Sequence, residues 1–166
     1  MSILMNENKK TLYKQIKCPP TIAIKYIDSP SPHYSIISLQ KFNTGDVIFE
    51  NTSLLFNTSE INSIRVYFED MNKQNHTMGL DLIYHTVNRG NNIREYYHFD
   101  TFTNHSCNPN TEVNLITDTF YKVIARSNIN IGDELTQDYY NFDTFLDSSE
   151  FNCNCGYEFC RKIIRG

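Results

Sequence analysis

The chain has no tryptophan, only two alanines and only six glycines in 166 residues. So little alanine, the strongest helix former, argues against long helices, and 18 isoleucines tilt the chain toward strands. No apolar run approaches the roughly 18–20 residues that span a bilayer, so no membrane partner is expected. The opening MSILMNENKK lacks the apolar stretch of a secretory signal, so an intracellular site is expected, nuclear or cytoplasmic. A block of Lys and Arg is missing too. Fifteen basic against nineteen acidic residues leave a charge of −4, which argues against direct nucleic-acid binding. Without a secretory route, five cysteines make a poor and odd-numbered disulfide set. They are metal ligands, nucleophiles or core thiols until spacing decides. The length suits one domain.

Along the chain, residues 1–20 read as a polar, basic, irregular leader ending in Cys18-Pro19-Pro20. Strand alternation begins at 21–27, resumes at 34–39 after the Ser-Pro-Ser-Pro loop, and returns at 47–50 after the Asn43–Asp46 turn. Ile61, Ile64, Phe68 and Met71 then fall at helical spacing, with Ser59 as N-cap and Glu60 in the first turn. This predicts a helix over 60–73. Residues 79–100 fit neither pattern and carry an Arg89-Gly90-Asn91-Asn92 turn. Strands are expected again at 112–116 and 120–126, joined by a Thr117-Asp118-Thr119 hairpin turn. The expected fold class is mostly β, with one inserted helix and a cysteine-rich tail.

The tail carries the strongest chemistry. Cys153, Cys155 and Cys160 form a C-x-C-x4-C cluster, and three thiolates this close can wrap one soft cation. Gly156 permits the tight turn that wrapping needs. Structural zinc takes four ligands, so a fourth must come from Cys107, Cys18 or one of five histidines. Cys107 lies in Asn104-His105-Ser106-Cys107-Asn108-Pro109-Asn110. A thiol nucleophile there would lack a separate group to orient its neighbouring histidine, so Cys107 reads better as the missing ligand. A third segment, Gly132-Asp133-Glu134-Leu135-Thr136-Gln137-Asp138-Tyr139, reads alone as a turn and short strand. His76, His85 and His98 read as surface or core residues rather than ligands.

In this order the three segments resemble the SET-domain protein-lysine methyltransferases with a C-terminal post-SET zinc module, in a minimal form without a pre-SET segment. The likeness is clearest over 102–166 and softer over 21–56. It implies an irregular leader at 1–20, a SET domain at 21–141 with a variable insert at 57–98, and a post-SET zinc tail at 142–166. It also implies small curved sheets in which the N-H-S-C and E-L-T-x-D-Y segments cross as a pseudoknot. S-adenosylmethionine would bind on one face, and a lysine of a protein or peptide, a histone tail among the candidates, would enter from the other.

By the same resemblance Tyr139 is the catalytic tyrosine, and Asn104 and His105 hold the cofactor. Cys107 joins Cys153, Cys155 and Cys160 on zinc. His33, Tyr34 and Ser35 stand where the family carries a G-x-G cofactor loop, so both glycines are replaced. Asn51-Thr52-Ser53 replaces a Y-x-G element, and Thr101 stands where an arginine is usual. Gln137 occupies the position where Phe or Tyr limits the number of methyls, and Tyr97 is a second candidate for the lysine channel. Phe142, Phe151, Tyr157 and Phe159 cover the adenine, line the channel or form a small core under the zinc, and Phe151 is placed with the cofactor-binding residues. A catalytically weak or inactive SET scaffold that serves as a binding module is the alternative.

Overall fold

A computed structural model describes residues 10–139 and 150–165. The expectations for the first nine residues and for Phe142 lie outside the described residues. Small sheets dominate, and the core runs between them. Ile22–Ile27 pairs antiparallel with His33–Ser38, and their alternation buries Ile22, Ile24 and Ile36. Thr111–Leu115, Phe120–Ala125 and Val47–Thr52 form a three-stranded antiparallel sheet with Phe120–Ala125 in the centre. It contributes Tyr121, Val123, Ile48 and Phe49 to the core. Leu54–Asn57, Ile93–Tyr96 and Val87–Gly90 make a further sheet with Ile93–Tyr96 in the middle.

The segment expected to be helical over 60–73 is a strand, Ile61–Glu69, paired antiparallel with Asn75–Leu80. The period is two. Ile64, Val66 and Phe68 are buried, while Arg65, Tyr67 and Glu69 are exposed. Ile64 and Phe68 are an even number of residues apart, so they fit both periods, and Val66 decides between them. Ser59 caps no helix but sits in the turn where its N–H reaches Asn57 Oδ1 at 2.8 Å. The one α-helix among the described residues is Leu82–His85, capped by Asp81, which accepts from the N–H groups of Ile83 and Tyr84.

The leader is not irregular throughout. Lys10–Gln15 is a strand lying parallel to Ile61–Glu69, and Ile16 enters the core behind it. A parallel partner fifty residues away leaves no local mark, and the lysines on this edge strand hide its alternation. Phe68 is 1 % exposed and packs against Tyr34 and Phe102. Phe68→Ala is therefore expected to cost about 3–5 kcal/mol, read as a lowered urea midpoint.

Candidate active site

The two motif segments lie side by side. Asn104–His105 pairs parallel with Thr136–Gln137, and the Ser106 N–H donates to Gln137 O at 2.9 Å. This pairing brings Asn104 against the strand His33–Ser38. The Asn104 Nδ2 donates to Tyr34 O (3.1 Å), Ser35 Oγ (2.9 Å) and Glu134 Oε1 (2.8 Å). Ser35 Oγ donates to the same Glu134 oxygen at 2.7 Å. Ser35 is fully buried, so this knot fixes the loop that stands in for two glycines.

A cleft of about 540 Å³ opens beside the crossing. His33, Tyr34 and Asn104 line it, as do Tyr97, Gln137 and Tyr139, and Phe151 reaches it from the tail. Ser35 and His105 are not among the lining residues, and His105 Nε2 lies 3.4 Å from Cys107 Sγ. Tyr157 and Phe159 pack on each other, centroids 5.7 Å apart, outside the cleft wall.

The Tyr139 hydroxyl donates to Thr103 O at 2.7 Å, and its ring rests near His105 (5.3 Å) and Phe151 (6.0 Å). Burial, then the negative charges of Asp100 and Glu134, push this phenol above its ordinary range, so it keeps its proton. Gln137 is buried and donates to both oxygens of Asp100, at 3.1 and 3.4 Å. Thr103 and Tyr121 hydroxyls donate to the same carboxylate. Burial raises the Asp100 carboxyl, and these three donors oppose the rise. Asp100 went unnoticed in the sequence. The signal was there: one acid inside the aromatic stretch Tyr96–Phe102.

Two further networks hold the cleft walls. Arg89 and the buried Glu95 form an ion pair, and Arg89 Nη2 donates to the Tyr97 hydroxyl at 3.1 Å. Tyr97 thus lines the cleft with its hydroxyl engaged by Arg89. Tyr34 Oη lies 3.1 Å from His76 Nδ1, and His76 Nε2 lies 2.9 Å from Asp70 Oδ2. A carboxylate accepts from Nε2–H, which leaves Nδ1 to accept the Tyr34 proton. Burial pushes the Asp70 carboxyl up, but the Gln74 N–H, His76 and the Asn72 N–H outweigh it and hold the group below the ordinary carboxylate range. A depressed folded value means stabilisation that is present at neutral pH and lost as pH falls through that value. Thermal unfolding followed below about pH 4 should show this loss, and Asp70→Asn should flatten that acid limb.

The four expected cysteines converge. The Sγ atoms of Cys107, Cys153, Cys155 and Cys160 all lie within 4.8 Å of one another. Cys107 is 3.8 Å from Cys153 and 4.0 Å from Cys160. A tetrahedron with Zn–S bonds of about 2.3 Å sets its sulfurs about 3.8 Å apart, so the cluster can hold that metal. Backbone N–H groups of Arg161 and Lys162 point at Cys107 Sγ and Cys160 Sγ, at 3.5 and 3.4 Å. Gly156 takes φ +77°, the turn expected of it. His105 Nδ1 accepts from the Tyr139 N–H at 3.2 Å, so its Nε2–H faces Cys107 Sγ at 3.4 Å. One imidazole thus joins the cysteine cluster to the backbone of Tyr139. Arg161 pairs with Asp138 across the same junction. Cys18 stands apart, and burial pushes its thiol up to about 11.

The profile of the SET domain family matches residues 33–140, about two thirds of the chain, and the chain belongs to that family. The Arabidopsis thaliana protein ASHH4, named provisionally as a histone-lysine N-methyltransferase, is 26% identical over 153 residues, covering 85% of this chain and 39% of that protein. Human histone-lysine N-methyltransferase SETD1B is 39% identical over 69 residues, 40% of this chain and 3% of that protein. The chain thus spans well under half the length of these relatives. Among solved structures, KRYPTONITE in complex with mCHG DNA and SAH is similar over 84% of this chain and 28% of that one, at 19% identity and a TM-score of 0.54. That likeness bears on the fold. Among the described residues no helix is long and apolar enough to cross a membrane.

Proposed function

We propose that the chain transfers a methyl group from S-adenosylmethionine to a lysine of a protein substrate, with Tyr139 at the transfer point. The observation that carries this is the Tyr139 hydroxyl, fixed on Thr103 O inside a cleft that the cofactor-loop strand, the N-H-S-C segment and the tail all line. Family membership and the methyltransferase names of the relatives support it. The cleft volume is in the range of small-molecule sites, about 300–1,000 Å³. The rings of Tyr139 and Phe151 suit a sulfonium cation. When bound, the cofactor supplies an electrophilic methyl.

The chain's own residues do the rest. The amine must arrive neutral, although lysine normally holds its proton up to about pH 10.4, and an apolar wall disfavours the charged form. Tyr34, Tyr97 and Phe151 contribute to that wall. The Tyr139 oxygen orients the amine, because its proton is committed to Thr103. Cys107, Cys153, Cys155 and Cys160 would hold zinc, which orders the tail that carries Phe151. The −4 charge is compatible with a basic peptide substrate such as a histone tail, the class named for the relatives.

Tritiated methyl transfer to purified histones and to a total protein extract tests this reading, alongside calorimetric titration with S-adenosylmethionine. Labelled protein and a heat of binding support it. Absence of both would leave only an inactive scaffold, the alternative that the two replaced glycines favour.

A further inference from the structure

We propose that the outer face of the sheet of Lys10–Gln15, Ile61–Glu69 and Asn75–Leu80 binds single-stranded RNA, with Tyr13 and Tyr67 stacking on unpaired bases and Arg65 holding a phosphate. The site stands apart from the cleft, which none of these three residues lines.

The sheet has two unlike faces. Ile64, Val66 and Phe68 point into the core, and Met78 lines the cleft. On the other face the register sets Tyr13, Arg65 and Gly79 in one row and Gln15, Tyr67 and Thr77 in the next. All six residues are exposed. Tyr13 is 61 % and Tyr67 37 % exposed, so two large rings are left in water on a strand face. Their centroids lie 6.3 Å apart and their planes differ by 24°. Near-parallel rings on neighbouring strands offer faces on which bases of any sequence can stack.

Charge selects the occupant. The chain as a whole carries −4, but residues 10–17 and 60–80, which build this sheet, hold five basic residues against three acidic ones. Two of those acids are engaged, Glu69 with Lys73 and the buried Asp70 with His76. Arg65 has no ion pair and no side-chain hydrogen bond among the described residues. Beside it, Gly79 has no atom within 4 Å of the place a Cβ would take. A guanidinium with open space next to it is a seat for a phosphate. Exposed Lys10 and Lys17 flank the edge strand and extend the positive rim. A sugar or a neutral peptide would use the rings but leave these cations unmatched. Gln15 and Thr77 stand on either side of Tyr67, and neither side chain is engaged among the described residues, so both are free for a ribose 2′-hydroxyl. A duplex keeps its bases stacked on each other and has none to give the tyrosines.

The test uses the full chain and a fluorescein-labelled single-stranded RNA of mixed sequence, followed by fluorescence anisotropy. The same sequence as single-stranded DNA and as RNA duplex, and inorganic polyphosphate as competitor, are the comparisons. Single-stranded RNA should bind saturably and more tightly than either comparison strand. Tyr13→Ala and Tyr67→Ala should each weaken it about tenfold, while Tyr67→Phe, which keeps a ring, should bind like the wild type. Arg65→Gln should lower the slope of log affinity against log salt by about 0.7, one phosphate contact on a single strand. Should an alanine variant unfold, the Arg65→Gln slope and the Tyr67→Phe affinity decide. No binding of single-stranded RNA overturns the proposal. So does equal or tighter binding of the DNA or the duplex, or full displacement by polyphosphate with folded alanine variants unchanged. A dimer that Tyr13→Ala disperses, in place of RNA binding, overturns it in favour of a second copy of the chain. RNA binding seen only after residues 1–9 are removed overturns it in favour of that segment.

Discussion

Tyr139→Phe should lower methyl transfer by about 10²–10³-fold while the protein stays folded and keeps its metal. The loss follows from a single oxygen. Tyr139 Oη donates to Thr103 O, and on the proposed reading its lone pairs set the direction of the incoming amine. Phenylalanine keeps the ring contacts with His105 and Phe151 but offers no acceptor. It also leaves Thr103 O without this donor, at a cost of about 1–3 kcal/mol in stability. The effect should fall on kcat more than on KM, because alignment matters most in the transition state. Initial rates with matched circular dichroism and metal analysis check it. Transfer at the wild-type rate would move the transfer point away from Tyr139.

Cys107→Ser should lower zinc affinity by at least about a hundredfold, since even the loss of a hydrogen-bond partner to a ligand costs 10–100-fold. Cys107 lies forty-six residues before Cys153, so in the proposed zinc site it would tie the tail to the N-H-S-C segment. Without it the remaining three cysteines belong to the tail alone. His105 also loses the sulfur that its Nε2–H faces, and Tyr139 is one hydrogen bond further along. Metal content should drop below one equivalent, residues 150–165 should become sensitive to protease, and transfer should fall as Phe151 leaves the cleft. A chelator applied to the wild type should reproduce all three effects. Full zinc occupancy in Cys107→Ser would exclude the four-thiolate site.

The cysteine cluster was legible before any coordinates because its logic is one of counting. Zinc asks for four soft ligands, and three sat within eight residues. Motif order singled out Tyr139, Asn104 and Gln137, and the three line one cleft. Pairings between distant segments were not. The strand at Lys10–Gln15 draws its stability from a parallel neighbour near Ile64, which local polarity does not reveal. Ile61–Glu69 was misread because Ile64 and Phe68 satisfy both periods. Arg89 and Glu95 are six residues apart and meet only because a hairpin folds them together. The Tyr34–His76–Asp70 chain joins the strand His33–Ser38 to the hairpin of Ile61–Glu69 and Asn75–Leu80 in the same way. Asp100 had a sequence signal but no visible partner, since its three donors come from positions 103, 121 and 137.

The most direct measurement identifies the amino acid that receives the methyl. The purified chain is incubated with isotopically labelled S-adenosylmethionine and protein substrate, and the labelled residue is isolated from the hydrolysate. Label on the side-chain nitrogen of lysine, absent when Tyr139 is phenylalanine, is the predicted result. Label on arginine, histidine or a carboxylate, or no transfer with any protein in the extract, would contradict a lysine methyltransferase centred on Tyr139.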